Sequence, residues 1–381
     1  MNLRYTTHNK ETMKATNKQL AFCTEHNMSF DQFIGKDIIE GNLHLDSVKK
    51  LAKGFNPIVG GGLYIDSVKK LIKGFNPTVG GNLYMDSVKK LIKGFNPTVG
   101  EDLYMKSVTE LVKGFNPTVG GCLWMNSVTK LVKGFNPIVG GSLCMISVTK
   151  LAKGFSPTVG GSLHLESLTE LTEGFNPTVG RDLRMNSVTE LIEGFNPTVG
   201  GHLFMDSVTE LIEGFNPTVG YGLHMQSVTD QGSISFTKIN GDFIDFKNGF
   251  VRCEGIFMEV DSHRGNVWVG HRIGRKEKIF LVTDGNQKYA HGETIKEAKE
   301  DLIFKVDGRR PDDFKHLNKK SILKMSEAIV AYRVITGACG FGVKDYIKNR
   351  LPKEKKEFSM AEVIELTKDE YGGKSFSKFI G

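Results

Sequence analysis

Residues 81–100 read GNLYMDSVKKLIKGFNPTVG, and the chain repeats nearly the same twenty letters nine times between residues 41 and 220. Residues 41–60 are GNLHLDSVKKLAKGFNPIVG and residues 201–220 are GHLFMDSVTELIEGFNPTVG; a tenth copy decays after YGLHMQSVTD, residues 221–230. If each copy is numbered from slot 1 to slot 20, slots 3, 5, 8, 11, 15 and 19 are apolar in every complete copy. In the second copy these are Leu63, Ile65, Val68, Leu71, Phe75 and Val79. Twenty residues cannot bury six apolar side chains alone, whereas stacked coils can, each covering its neighbour. Slots 3 and 5 alternate as a short β-strand does with both side chains inward. Gly at slots 14 and 20, and often at slot 1, suits corners with unusual backbone angles. Pro at slot 17 suits a turn better than a central strand. Coils pairing in parallel would stand ~4.8 Å apart, so that nine span ~45 Å. Phe55 and its equivalents to Phe215 would then form an internal ladder. Asn56 and its equivalents would form an amide ladder interrupted only by Ser156.

This regularity accounts for the composition. Of 11 prolines in 381 residues, nine stand at slot 17, and most of the 44 glycines lie in the repeats. Gly is not at every third residue, which excludes collagen. No apolar run approaches the ~20 residues of a membrane span. The N-terminal MNLRYTTHNKETMK lacks the apolar core of a secretory signal. Five cysteines, Cys23, Cys122, Cys144, Cys253 and Cys339, are scattered and form no C-x-x-C pair. That argues against a disulfide framework and a zinc finger, and for a cytoplasmic protein with no cofactor and no metal.

The repeat pattern L-x-[LIM]-x-S-V-x-x-L-x-x-G-F over residues 41–229 resembles bacterial leucine-rich repeats of the short, twenty-residue kind. It lacks the usual Asn after the strand, where Ser47 and its equivalents stand, and so leaves open a horseshoe or a straighter β-solenoid. The expected fold is mainly β: a leucine-rich-repeat-like solenoid of nine to ten coils over 41–230, an N-terminal helical cap over 1–40 and an α+β domain over 231–381. Two capping boxes, Thr16 to Gln19 and Ser29 to Gln32, would open the cap helices. Leu20, Phe22, Phe30 and Phe33 would cover the first coil, and the chain from Gly232 onward would close the other end.

Function in a repeat array is expected at the slots that vary. Slot 4 points outward and reads His44, Tyr64, Tyr84, Tyr104, Trp124, Cys144, His164, Arg184, Phe204 and His224. Four consecutive aromatics, Tyr64, Tyr84, Tyr104 and Trp124, make a candidate partner-binding row; cross-strand stacking that steadies the sheet is the competing structural explanation. Slot 13 is Lys in six coils (Lys53, Lys73, Lys93, Lys113, Lys133, Lys153) and Glu in the last three (Glu173, Glu193, Glu213). Slot 10 follows suit with Lys50, Lys70, Lys90, Lys130 and Lys150, broken by Glu110 and ending in Glu170, Glu190 and Glu210. Residues 41–160 hold 15 Lys against 6 acids (+9), and residues 161–220 hold 2 Arg against 9 acids (−7), so the net +7 conceals a polarised rod. Stacked lysines repel unless an anion is shared, which points to nucleic acid or an acidic protein; drift among duplicated copies would give the same pattern without a partner.

Beyond residue 230 the pattern becomes β-alternating (SISFTKI, DFIDFK, FVRCEGIFMEV, NVWVGHRI, KIFLVTD), with turns at His263–Asn266 and Asp284–Asn286. Helices are expected over 295–306, 324–336, 343–350 and 360–370, the last capped by Ser359 and Glu362. GNVWVGHRIGRKEKIFLVTDGNQKYAHGETIKEAKEDLIFKV, AIVAYRVITGACGFGVKDYIKNRL and EVIELTKDEYGGKSFSKFI, within residues 265–380, resemble an uncharacterised domain common in phage and prophage proteins of Bacteroidetes-type hosts. The resemblance implies a mobile-element origin and no reaction. His263, His271 and His291, among Asp261, Asp284 and Glu293, read as surface residues. Residues 337–344, GACGFGVK, lack phosphate-loop spacing and read as a helix C-cap followed by a loop, and Cys339 has no evident His partner. The expectation is a non-enzymatic binding protein. It would be an anti-defence inhibitor that docks on a host nuclease or nucleoprotein, such as a CRISPR effector, and hinders its nucleic-acid handling. The alternatives are direct nucleic-acid binding by the basic stripe and a structural role in virion assembly.

Overall fold

A computed structural model describes residues 15–228, 237–238, 243–246, 249–272, 275, 277–286, 288–307, 310–351 and 355–381. Each coil of the repeat contributes two short strands, one at slots 3–4 such as Leu83–Tyr84 and one at slots 18–19 such as Thr98–Val99. Equivalent strands pair in parallel and in register, Leu83 beside Leu103 and Val79 beside Val99. The result is a ten-stranded sheet of slot 3–4 strands and an eleven-stranded sheet of slot 18–19 strands. Between them, backbone bridges at slot 10 join Lys90, Glu110, Lys130, Lys150 and Glu170 along a third side. The chain is therefore a mainly β, parallel β-solenoid of about nine twenty-residue turns, with N-terminal helices and a distinct C-terminal α+β domain.

The expected inward slots are the core: Leu63, Ile65, Val68, Phe75 and Val79 have no solvent exposure, and Leu71 is buried. The Phe rings from Phe55 to Phe215 stack 5.9–6.2 Å apart and within 14° of parallel, an offset arrangement that aromatic quadrupoles favour. In the amide ladder, Asn96 N–H donates to Asn76 Oδ1 at 2.6 Å, and so on coil by coil. Ser156 does not interrupt it, because its hydroxyl accepts from Asn176 N–H at 3.1 Å. A second ladder runs through slot 2, from Asp102 N–H to Asn82 Oδ1 (2.8 Å), Cys122 N–H to Asp102 Oδ1 (2.6 Å) and Ser162 N–H to Ser142 Oγ (3.0 Å).

Two corner assignments need correction. Pro at slot 17 is buried and extended rather than in a turn; Phe75, Pro77 and Val79 alternate inward ahead of and within the second strand. The donors to the preceding coil come from slots 18 and 20, as in Thr78 N–H to Pro57 O and Gly80 N–H to Val59 O, so the missing proline N–H costs nothing. Gly at slot 14 does adopt φ of +76 to +86°. Gly at slot 20 does not. It is needed because a Cβ at Gly80 would lie 2.4 Å from Gly60 O in the coil before.

At the N-terminal end, α1 (Asn17–Glu25) and α2 (Phe30–Phe33) are opened by the two capping boxes. Phe22 and Phe33 lie 5.3 and 5.4 Å from the Phe55 ring and seal the first coil. Leu20, expected to join them, is instead on the outer face of α1 and 46% exposed.

The C-terminal unit begins with a six-stranded antiparallel meander: Phe243–Asp245, Phe250–Cys253, Ile256–Arg264, Val267–His271, Lys278–Thr283 and Tyr289–Gly292. Its helices are α3 (Ile295–Asp307), α4 (Met325–Thr336), α5 (Gly340–Arg350), α6 (Met360–Thr367) and α7 (Gly373–Ile380). The 250–260 run is split by a turn at Glu254-Gly255. The meander leans on the flank of the solenoid: Ile244, Phe246 and Phe257 pack with Ile138 and Phe250, and Arg252 Nη1 donates to Gly160 O at 3.1 Å. Gly232 lies outside the described residues. Within them, Thr237–Lys238 extend the second sheet beside Thr218–Val219.

Candidate functional site

The solenoid offers two candidate surfaces. On the slot 3–4 sheet the aromatic row stacks on itself, Tyr64 on Tyr84 at 4.8 Å, Tyr84 on Tyr104 at 4.5 Å and Tyr104 on Trp124 at 6.1 Å, all within 12° of parallel. His44 extends the row at 4.3 Å from Tyr64. The four rings are half-buried. Their faces meet one another, which leaves ring edges toward the outside. Tyr104 Oη donates to Asp102 Oδ2 at 2.9 Å; burial first, then Asp102, pushes the Tyr104 hydroxyl well above the usual tyrosine range. Trp124 Nε1 is buried with no hydrogen-bond acceptor among the described residues.

The lysine rows occupy the next two segments of the coil and all their members are exposed. Where Lys gives way to Glu the row pairs along its own length, Lys150 with Glu170 at 3.9 Å and Lys153 with Glu173 at 3.7 Å. Among the described residues no ion pair holds Lys53, Lys73, Lys93, Lys113 or Lys133. The aromatic and lysine rows therefore lie along different sides of the coil.

A third arrangement lies in the C-terminal unit. Glu254, in the hairpin turn, His291, in the last strand, and Cys339, the residue that caps α5, bring one ligating atom each to within 4.8 Å of one another. His291 Nδ1 is 3.8 Å from Glu254 Oε2 and 3.9 Å from Cys339 Sγ. Gly342 N–H donates to Cys339 Sγ at 3.2 Å and orients it. Lys305 pairs with Glu254 Oε1 and also donates to Tyr289 O at 2.6 Å. Glu254 Oε2 is buried with no hydrogen-bond partner among the described residues. Burial alone would raise the Glu254 carboxyl, but His291 and Lys305 bring it below the usual range. Burial likewise works to lower His291, and Cys339 and Glu254 overcome it and raise it.

This constellation corrects the expectation of no metal: Glu, His and Cys within reach of one point is a possible metal centre. It also corrects the reading of Cys339 as lacking a histidine. Gly337 is indeed the left-handed C-cap of α4, but the loop after it is only Ala338 and Cys339 before α5 begins. The other histidines do not join. His263 stacks on Trp268 at 4.2 Å, and half-buried His271 sits between Asp261 (3.2 Å) and Glu259 (3.6 Å). Asp284 Oδ1 accepts from Asn286 and Lys288 N–H in its own turn. Cys339 carried no sequence signal, since Cys is not among the usual N-cap residues. The hairpin turn and the four-residue strand that hold Glu254 and His291 are too short to show a period.

The sequence matches no protein-family model, and neither a curated protein nor a solved structure matches it. The fold is consistent with a protein–protein interaction scaffold, and no described helix is long and apolar enough to cross a membrane.

Proposed function

We propose that the chain is a non-enzymatic binding protein whose solenoid docks on a partner with an acidic surface. The observation that carries this reading is the row of exposed lysines Lys53, Lys73, Lys93, Lys113 and Lys133, held in register by coils that cannot move apart without breaking two sheets. Such a row raises a positive potential that neighbouring anions relieve. The half-buried Tyr and Trp edges of the adjoining side offer apolar contact beside it. A non-enzymatic role is supported by the burial of the Glu254, His291 and Cys339 side chains, which keeps this cluster out of a substrate's reach. A host nuclease or nucleoprotein as target, an anti-defence role and a cytoplasmic setting belong to the same proposal and rest on the sequence alone: the resemblance of residues 265–380 and the scattered cysteines.

The test is capture of partners by tagged wild type and by a triple variant, Lys73→Glu, Lys93→Glu and Lys113→Glu, with and without nuclease. Nuclease-resistant capture of a defined protein that the triple variant loses supports the proposal. Capture unaffected by charge reversal would sink it. The second reading, direct nucleic-acid binding, is favoured by the same lysine row. It requires nuclease-sensitive capture and an affinity that falls with salt at a slope reporting the phosphates contacted, about 0.9 per contact on a duplex.

A further inference from the structure

We propose that Glu254 Oε2, His291 Nδ1 and Cys339 Sγ bind a zinc ion that staples α5 to the C-terminal sheet. The proposal is independent of the solenoid's partner. Three elements distant in sequence deliver three different ligating atoms to one buried point, and the ligand chemistry is selective. Thiolate and imidazole are poor partners for the hard cations calcium and magnesium and good ones for zinc. Tetrahedral zinc with bonds of 2.0–2.3 Å holds neighbouring N, O and S donors roughly 3.3–3.6 Å apart. The 3.8 and 3.9 Å separations from His291 Nδ1 are wider than that by up to about half an ångström, and all three donors lie within 4.8 Å of one another, so small side-chain shifts would close them on the ion.

A second observation points into the same space. Among the described residues Glu254 Oε2 is a buried carboxylate oxygen with no hydrogen-bond partner, although its twin Oε1 is held by Lys305. The His291 ring, 3.8 Å away, is too distant to hydrogen-bond it, and a buried anionic oxygen left so is expensive unless a closer cation completes it. Lys305 acts as the outer group that fixes the carboxylate and leaves one oxygen for the metal, the usual division of labour around a ligand. Its own charge keeps further partners in the Tyr289 carbonyl and the Tyr371 ring. Glu254 also has φ of +50°, in a two-residue hairpin turn with Gly255 where Asn, Asp or Gly is the ordinary choice.

The same three residue types could make a thiol nucleophile with a histidine base and an acid. The geometry speaks against it. In such a triad the acid holds one ring nitrogen and the thiol meets the other. Here the thiol and the carboxylate both approach Nδ1. Convergence on one point is what a metal requires. With three protein ligands, the fourth position would be taken by water.

The test is metal analysis of the full chain purified without metal-affinity chromatography, together with cobalt(II) titration of the chelator-treated protein. The expected results are about one zinc per chain and a near-ultraviolet thiolate-to-cobalt band in wild type that Cys339→Ser abolishes. Lys305→Met should bind zinc roughly 10–100-fold more weakly. Folded wild-type protein that holds no stoichiometric zinc and gives no thiolate–cobalt band overturns the proposal, whatever the variants do. Rapid alkylation of Cys339 in the native, metal-free chain that His291→Asn suppresses would replace it with a thiol nucleophile.

Discussion

Glycine shows how one letter carries two physical demands. At slot 14 the demand is conformational: positive φ in a turn closed by slot 15 N–H on slot 12 C=O, as from Phe95 to Ile92. At slot 20 it is steric, and the steric demand is absent at the first complete coil and present from Gly80 onward. A Cβ on Gly140 would meet Gly120 O at 2.4 Å and the Phe257 ring at 2.5 Å; a Cβ on Gly60, at the first complete coil, would meet nothing closer than 3.6 Å. Gly140→Ala is therefore expected to destabilise by about 1–3 kcal/mol, as overpacking does. Gly60→Ala should be neutral or stabilising by up to about 1 kcal/mol, since it only restricts the unfolded chain. Denaturant midpoints of the two variants decide the matter: equal shifts would refute the steric account. The sequence repeats Gly at both slots with the same regularity, so periodicity alone could not separate the two causes.

At the scale of the element, ladders depend on a role and not on a residue type. The Asn ladder survives Ser156 because a hydroxyl can accept the next coil's N–H as an amide oxygen does. Asn116→Ser keeps the acceptor and loses only the amide donor to Gly134 O, so it should cost less than Asn116→Ala. Asn116→Ala takes the acceptor from Asn136 N–H and the donor from Gly134 O, and should cost about 0.5–1.5 kcal/mol; the two unfolding midpoints measure the difference. The slot 2 ladder was not legible for the same reason: Asn82, Asp102, Cys122, Ser142 and Ser162 share an acceptor and nothing else. Capping boxes, by contrast, are local and were legible. At α6, Lys355 and then Ser359 hold the Glu362 carboxyl at about 2 against an ordinary 4.5. A depressed carboxyl stabilises the fold above its unfolded value and loses that contribution as pH falls toward the folded one. The stability gap between wild type and Glu362→Gln should thus be full at pH 6 and close between pH 4.5 and 2. A gap that stays constant over that window would exclude the cap as its source.

Over the whole molecule, the solenoid could be read from sequence because its contacts repeat every twenty residues, so that each coil restates the one before. Where the C-terminal unit sits could not, because its contacts occur once: Phe257 against Gly120 and Gly140, Ile244 against Gly180, Arg252 on Gly160 O. The buried Glu254, His291 and Cys339 cluster was hidden likewise, its members 48 residues apart in the case of His291 and Cys339. The row of slot 20 glycines, bare of side chains, is what lets the meander approach the coils so closely. Phe257 is the residue on which that approach turns, 8% exposed and ringed by Phe246 and Phe250 as well as the glycines. Phe257→Ala should remove about 3–5 kcal/mol of packing, the usual cost of truncating a buried Phe. Because the loss falls at the junction, it should uncouple the two units. Calorimetry is expected to show the C-terminal unit melting below the solenoid, and limited proteolysis to release it while the coils stay intact. Val330→Ala, on the exposed face of α4, is the control and should leave the melting profile of wild type unchanged. If Phe257→Ala lowers stability yet the molecule still melts as wild type does, with no earlier release of the C-terminal unit, then the flank contact merely packs and the coupling runs through the chain joining the two units instead.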